Sequence, residues 1–242
     1  MTSPPAIGQP VVILGGFLSS DRFYVGLRDR LIRLSNESVH VVPLRRYDWV
    51  AAATPPSWIH LLDKLDQTVR RAVAVSVTGQ VTLVGHSAGG VLARLYLSPE
   101  RFFRRVYGGL ERVKLLITLG SPHHNQRRWI HGGMMSRWMD RHYPGAYFAP
   151  KVRYATVAGK LVRGDRRGSP RERQVYHFYR QLGGDGNVWG DGLVPLSSQL
   201  LDGSQQIVLD GVSHFTGFGG PWYGSAGVVP RWWHACMEQE EG

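Results

Sequence analysis

The chain has 242 residues, of which 43% are hydrophobic and 11% aromatic, enough to bury a sizeable core in one large α/β domain, read here as residues 1–242. No stretch reaches the ~20 apolar residues that a membrane-crossing helix needs, and Met1-Thr2-Ser3-Pro4-Pro5 has neither a basic start nor an apolar signal core. The expectation is a cytosolic protein that can still meet a membrane at its surface. The lone cysteine, Cys236, excludes an internal disulfide and a Cys-ligated zinc site.

The elements begin with Val11-Val12-Ile13-Leu14, a short buried strand that ends in Gly15-Gly16-Phe17 and is followed by helical spacing from Arg22 to Leu34. Val39 to Pro43 reads as the next strand, Thr54-Pro55-Pro56-Ser57 breaks the chain, and Trp58 to Val77 suits a long helix. Further strands are expected at Val81–Val84, Val113–Leu119, Lys151–Ala158 and Gln206–Leu209. Strands alternating with helices imply a mostly parallel sheet flanked by helices, with the site formed by loops at the strand C-termini.

Two stretches interrupt that alternation. Residues 123–150 are longer than a simple crossover needs, and Ile130, Met134 and Trp138, with Met135 and Met139 beside them, follow helical spacing. They read as a cap, either a lid over an acyl pocket or a stripe packed on the domain. Residues 161–173 carry Arg163, Arg166, Arg167, Arg171 and Arg173 among Gly164, Gly168 and Pro170, and are expected to form a mobile basic loop.

Charge follows the same division. Residues 101–180 hold 18 Lys and Arg against 4 Asp and Glu, a net of +14 in a chain whose total is +11. Such a field favours anionic surfaces, whether phospholipid headgroups, acidic glycolipid or nucleic acid. The bland alternative is a solvated face that keeps a Trp-rich protein soluble.

Between the third strand and its following helix stands Gly85-His86-Ser87-Ala88-Gly89, a Gly-x-Ser-x-Gly turn of the kind that lifts a serine hydroxyl for attack. A serine hydroxyl is a poor nucleophile at neutral pH, so it needs a histidine to take its proton and an acid to orient that histidine. The chain order Ser, acid, His leaves His214 and His234 among the ten histidines. His214 follows the last strand and is the expected base; His234, beside Trp232 and Trp233, reads as packing. Asp191, in Gly190-Asp191-Gly192-Leu193-Val194-Pro195, is the expected acid, with Asp185 and Asp210 as rivals. Oxyanion donors are expected from the backbone of Ala88 and of Phe17. No metal and no organic cofactor is implied by this set.

With these residues in place, the chain resembles the lipase-like branch of the α/β-hydrolases, including bacterial triacylglycerol lipases and deacylases of glycosylphosphatidylinositol lipids. The likeness rests on Gly85-His86-Ser87-Ala88-Gly89-Gly90, Leu119-Gly120-Ser121-Pro122-His123, Asp191-Gly192-Leu193-Val194-Pro195 and Gly211-Val212-Ser213-His214. One departure is the oxyanion loop, where Gly15-Gly16 stands in place of the His-Gly common in such lipases. The resemblance implies an α/β-hydrolase fold with a cap and a serine carboxylic-ester hydrolase acting on an acyl lipid.

Two other function classes compete with that reading. An acyltransferase or thioesterase would use the same acyl-serine. A basic nucleic-acid or anionic-surface binding module would use the arginines with exposed aromatics such as Trp129 and Trp138, but no nucleic-acid motif is present.

Overall fold

The computed structural model describes residues 8–52, 54–125 and 133–238. Ile130 and Trp129 lie outside them. In chain order the elements are β1 (Val11–Leu14), α1 (Val25–Ser35), β2 (Val39–Val41), α2 (Arg46–Ala51), α3 (Trp58–Val73), β3 (Val81–His86), α4 (Ala88–Tyr96), α5 (Gly109–Arg112) and β4 (Val113–Leu119). They continue with α6 (Gly133–His142), β5 (Arg153–Lys160), β6 (Val162–Arg163), α7 (Pro170–Gly183), β7 (Trp189–Gly190), α8 (Leu196–Gln199), β8 (Gln205–Asp210) and α9 (Val229–Met237).

The central sheet has six strands in the order β2-β1-β3-β4-β5-β8, and its pairs are all parallel. β1 and β3 are buried along their whole length, as strands covered by helices on both faces must be. One apolar layer joins Val12, Leu14, Leu83 and Leu116 to α3 and α4; the other joins Val11, Ile13, Val84 and Ile117 to α1 and α9. On α3, Leu61, Leu65, Val69 and Ala72 recur at helical spacing and are fully buried. Each such leucine contributes ~2 kcal/mol relative to an exposed one. This is the α/β-hydrolase architecture.

Two expectations are corrected here. The stretch 161–173 is not a loop throughout. Val162 and Arg163 pair antiparallel with Trp189 and Gly190, and Pro170 opens α7. Ser169 caps that helix, accepting from the Glu172 N–H while the Glu172 side chain accepts the Ser169 N–H. That reciprocal pair satisfies two donors a helix start leaves open, so a helix begins at Pro170, inside the stretch expected to be a mobile loop. Likewise α3 ends at Val73, four residues short of Val77.

Helix α6 packs on α4. Met135 and Met139 are buried in the α3–α4 layer, Trp138 packs against it, and Met134 remains exposed. Buried Arg94 of α4 anchors the segment, donating to the carbonyls of Tyr143 at 2.6 Å and Gly145 at 3.1 Å. Ser136 Oγ adds a bond to the Pro122 carbonyl at 2.5 Å. Among the described residues no helix is long and apolar enough to cross a membrane.

Candidate active site

β3 runs into Ser87, which holds φ 54° and ψ −130°, and α4 begins at the next residue. A non-glycine residue at positive φ outside the left-handed helical well costs on the order of 1–3 kcal/mol, so the surrounding packing has to enforce it. The glycines on either side permit the turn. A Cβ on Gly85 would stand 2.5 Å from Cα of Gly90, and one on Gly89 would stand 2.5 Å from the Leu14 carbonyl oxygen.

The structure brings Ser87, His214 and Asp191 into one hydrogen-bonded line. Ser87 Oγ lies 2.9 Å from His214 Nε2, and His214 Nδ1 lies 2.7 Å from Asp191 Oδ2. In the neutral tautomer these partners select, Nδ1–H donates to the carboxylate and Nε2 accepts the serine proton. Asp191 is fully buried, and a buried carboxylate needs its lone pairs filled. Its Oδ1 accepts the N–H groups of Leu193 at 3.1 Å and Val194 at 2.8 Å, both from the turn the aspartate itself opens. The backbone N–H of His214 also donates to the Asp191 carbonyl, at 2.9 Å, tying the two loops together.

Sequence reasoning missed Tyr223. Its hydroxyl lies 3.0 Å from Asp191 Oδ2 and 2.8 Å from Gln199 Oε1, while accepting the Gly159 N–H. Burial, with the Asp191 charge beside it, holds this phenol well above its ordinary pKa. It therefore stays a donor. Nothing in a Pro-Trp-Tyr-Gly run after the last strand marks the tyrosine for this position.

The rivals lie elsewhere. Asp185 caps its own turn through the Asn187 N–H, Asp210 pairs with Lys160 at the end of β8, and His234 sits on α9. His123, in the Ser121-Pro122-His123 run, is fully buried against Thr118 Oγ1 at 2.9 Å, and burial keeps it well below its ordinary pKa.

A cavity of about 350 Å³ opens over Ser87. Its walls are largely apolar, with Phe17, Leu18, Phe23, Pro122, Leu182, Leu193, Val194 and Phe215, and Arg46 stands at its edge. Phe17 and Ala88 both line it beside Ser87 and His214, whereas α6 contributes no residue to it among the described ones. A wider groove of about 690 Å³ between Pro56, Ile59, Phe103, Arg104 and Arg105 shares no residue with it. No group of three His, Cys, Asp or Glu among the described residues is placed to hold a metal ion.

The chain matches the PGAP1-like alpha/beta domain family over residues 62–138, from α3 through the Ser87 turn into α6. No curated protein matches it. Among solved structures, it is similar to lipase B of Aspergillus fumigatus, with 14% identity over 67% of this chain and 40% of that one, at a TM-score of 0.47. The chain thus spans less than half of that lipase's length. Methylketone synthase I of tomato, solved with 2-tridecanone, is similar over 95% of this chain and 96% of its own, with 7% identity and a TM-score of 0.46. RedJ overlaps 99% of this chain and 94% of its own at 17% identity and a TM-score of 0.46. The parallel sheet and the strand–serine–helix turn are those of an α/β-hydrolase fold, and the family match spans residues 62–138 of it.

Proposed function

We propose that the protein is a serine carboxylic-ester hydrolase acting on an acyl lipid. The observation that carries this reading is the unbroken Ser87, His214, Asp191 line, 2.9 Å and 2.7 Å, opening into a cavity with apolar walls. Ser87 Oγ attacks the ester carbonyl carbon while His214 Nε2 takes its proton. Asp191 holds the imidazolium that forms. The carbonyl oxygen, now negative, is received by the backbone N–H groups of Phe17 and Ala88. Collapse breaks the bond to the alcohol, whose oxygen takes the proton from His214, leaving acyl-Ser87. Water then attacks the acyl carbon with His214 again as base, and the products are one carboxylic acid and one alcohol.

The basic surface gives this enzyme a place to work. Arg171 donates to the Phe218 carbonyl, and the Phe218 ring meets Phe215 of the cavity wall at 4.5 Å, so the start of α7 adjoins the mouth of the site. An anionic bilayer at that face would deliver acyl lipid to Ser87, each Lys or Arg near the surface contributing ~1 kcal/mol.

A fluorophosphonate probe tests the chemistry. Labelling of the wild-type protein, with the adduct mapped to Ser87 and absent from Ser87→Ala, is the expected result; no adduct overturns the reading. Lipid profiling of membrane extracts before and after incubation then names the acyl donor.

A further inference from the structure

Two buried polar side chains beside Ser87 have no part in the steps above: Tyr24, 1% exposed, and His86, 4% exposed. Their hydrogen bonds fix the protons of the His86 ring. The His214 carbonyl can only accept, so His86 Nε2, 3.0 Å away, carries a hydrogen. In a neutral ring Nδ1 is then a bare acceptor, and the Tyr24 hydroxyl, 2.8 Å away, donates to it in preference to the longer contact with Ser19 Oγ at 3.2 Å. The Tyr24 oxygen in turn accepts the Gly16 N–H at 2.8 Å. Burial holds both groups in these forms. It takes His86 down to about 3, with His214 adding to the effect, and pushes Tyr24 up to about 12.

The far end of this chain is the Gly15–Gly16 peptide, one residue before the peptide that carries the Phe17 N–H. Ser19 Oγ donates to the Gly16 carbonyl at 2.6 Å and the Ser19 N–H does so at 3.1 Å. Because a peptide unit is planar and trans, fixing the Gly16 carbonyl also fixes the direction of the Phe17 N–H on the opposite side of the same plane. Gly16 itself has its N–H spent on Tyr24 and is not the donor from this loop.

We propose that Tyr24 and His86 are positioning residues, holding the oxyanion loop and the His214 backbone in register across Ser87 through Gly16 N–H, Tyr24 O–H, the His86 ring and the His214 carbonyl. The proposal rests on the ester-hydrolase reading for its kinetic consequence. It gives the residue before the serine a duty. His86 connects two loops that the chain brings to the nucleophile from opposite sides.

The test is a double-mutant cycle on a soluble p-nitrophenyl ester. Tyr24→Phe keeps the ring packed on Phe23, His86 and Trp222 while removing the single proton. It should lower kcat about 10- to 100-fold with KM changed by no more than about threefold, the scale expected for misplaced catalytic groups. His86→Leu should cost as much, His86→Gln, which keeps a donor toward the His214 carbonyl, should cost less, and Tyr24→Phe/His86→Leu should be no worse than either single within about threefold. Unchanged kcat in Tyr24→Phe, or losses that multiply in the double variant, would overturn the proposal. A second measurement uses the unaltered protein: histidine ¹⁵N spectra should show His86 neutral and protonated on Nε2 from pH 6 to 8, and a ring protonated on Nδ1, or on both nitrogens, overturns the proposal even if a variant fails to fold. If wild-type protein takes no fluorophosphonate, the hydrolase reading fails instead, and the spectrum still decides the hydrogen-bond chain.

Discussion

Gly16 and Ser87 are packed so closely that a Cβ on Gly16 would stand 2.7 Å from the serine Cβ and 3.3 Å from its Oγ. The space between the first loop and Ser87 therefore has no room for a methyl group. Gly16→Ala is expected to push the loop off Ser87 and lower the fluorophosphonate labelling rate by about 10²-fold, because a donor displaced by about an ångström loses most of its effect. Wild-type labelling in this variant would mean that the loop does not serve the oxyanion.

The positive φ of Ser87 makes a second, opposite prediction. Ser87→Gly removes the strain while also removing the hydroxyl, so it should raise unfolding stability by about 1 kcal/mol and abolish ester turnover. Ser87→Ala should abolish turnover with stability near wild type. Thermal melts of the three proteins, read beside ester hydrolysis, check both.

The Asp191 carboxylate has four hydrogen-bond partners, Leu193, Val194, His214 and Tyr223, and they differ in what they do. Asp191→Asn should cost roughly 10⁴-fold in kcat because an amide no longer selects the His214 tautomer. Combining it with Ser87→Ala should cost nothing further, since the groups act as a unit. Tyr223→Phe should instead cost mainly stability, about 1–3 kcal/mol, because the Gly159 N–H loses an acceptor and the buried carboxylate a donor. Urea unfolding and steady-state rates on each variant separate the two outcomes.

Acid should loosen the fold through its buried histidines. His86 has an ordinary value of 6.5 when unfolded and about 3 when folded, so between those pH values the unfolded chain binds a proton that the folded one refuses. Stability then rises with pH across that window, by about 1.4 kcal/mol per pH unit for one proton, and is lost as pH falls. His123, also held low by burial, acts in the same direction. His124 opposes them: its hydrogen bond to Asp140 raises its pKa, giving stability present below pH 6.5 and lost as pH rises through the folded value. Urea midpoints measured from pH 7 to 5 should fall for wild type and fall less steeply for His86→Gln; equal slopes would contradict the neutral buried ring.

Of the five arginines between residues 163 and 173, three are bound to local backbone. Arg163 bonds to the Asn187 carbonyl, Arg171 to that of Phe218 and Arg173 to that of Gly168. Arg166 and Arg167 make no side-chain hydrogen bond or ion pair among the described residues. Arg166→Ser/Arg167→Ser should therefore weaken co-sedimentation with anionic vesicles while leaving hydrolysis of a soluble ester at the wild-type rate. Binding should fall with salt. Equal vesicle binding by variant and wild type at low salt would remove these two charges from membrane contact.

The parts of this molecule that were legible beforehand are those set by local pattern. Val113–Leu119 is a strand because seven residues rich in branched aliphatics end at Gly120, and its bounds match. Ser87, Asp191 and His214 could be singled out because turn chemistry and chain order restrict them. Tyr24, His86 and Tyr223 could not be given partners that way, since each works through a partner that only the folded chain brings near. The helix beginning at Pro170 was obscured by glycines on one side, although Ser169 and Glu172 carried the capping signature. The methionines of α6 show the same limit: helical spacing marked the stripe, but burial of Met135 and Met139 against α4 decided that it is core.

His214 follows β8, and β8 pairs with β5 alone, at the margin of the sheet. Ser87 follows β3, which has a neighbour on each side. Ser87 and His214 therefore stand on elements of unequal resistance to opening, since a strand held on one side can detach while the middle of the sheet stays intact. Catalysis should vanish at a lower urea concentration than the far-ultraviolet signal of the sheet, and return without global refolding when the denaturant is diluted.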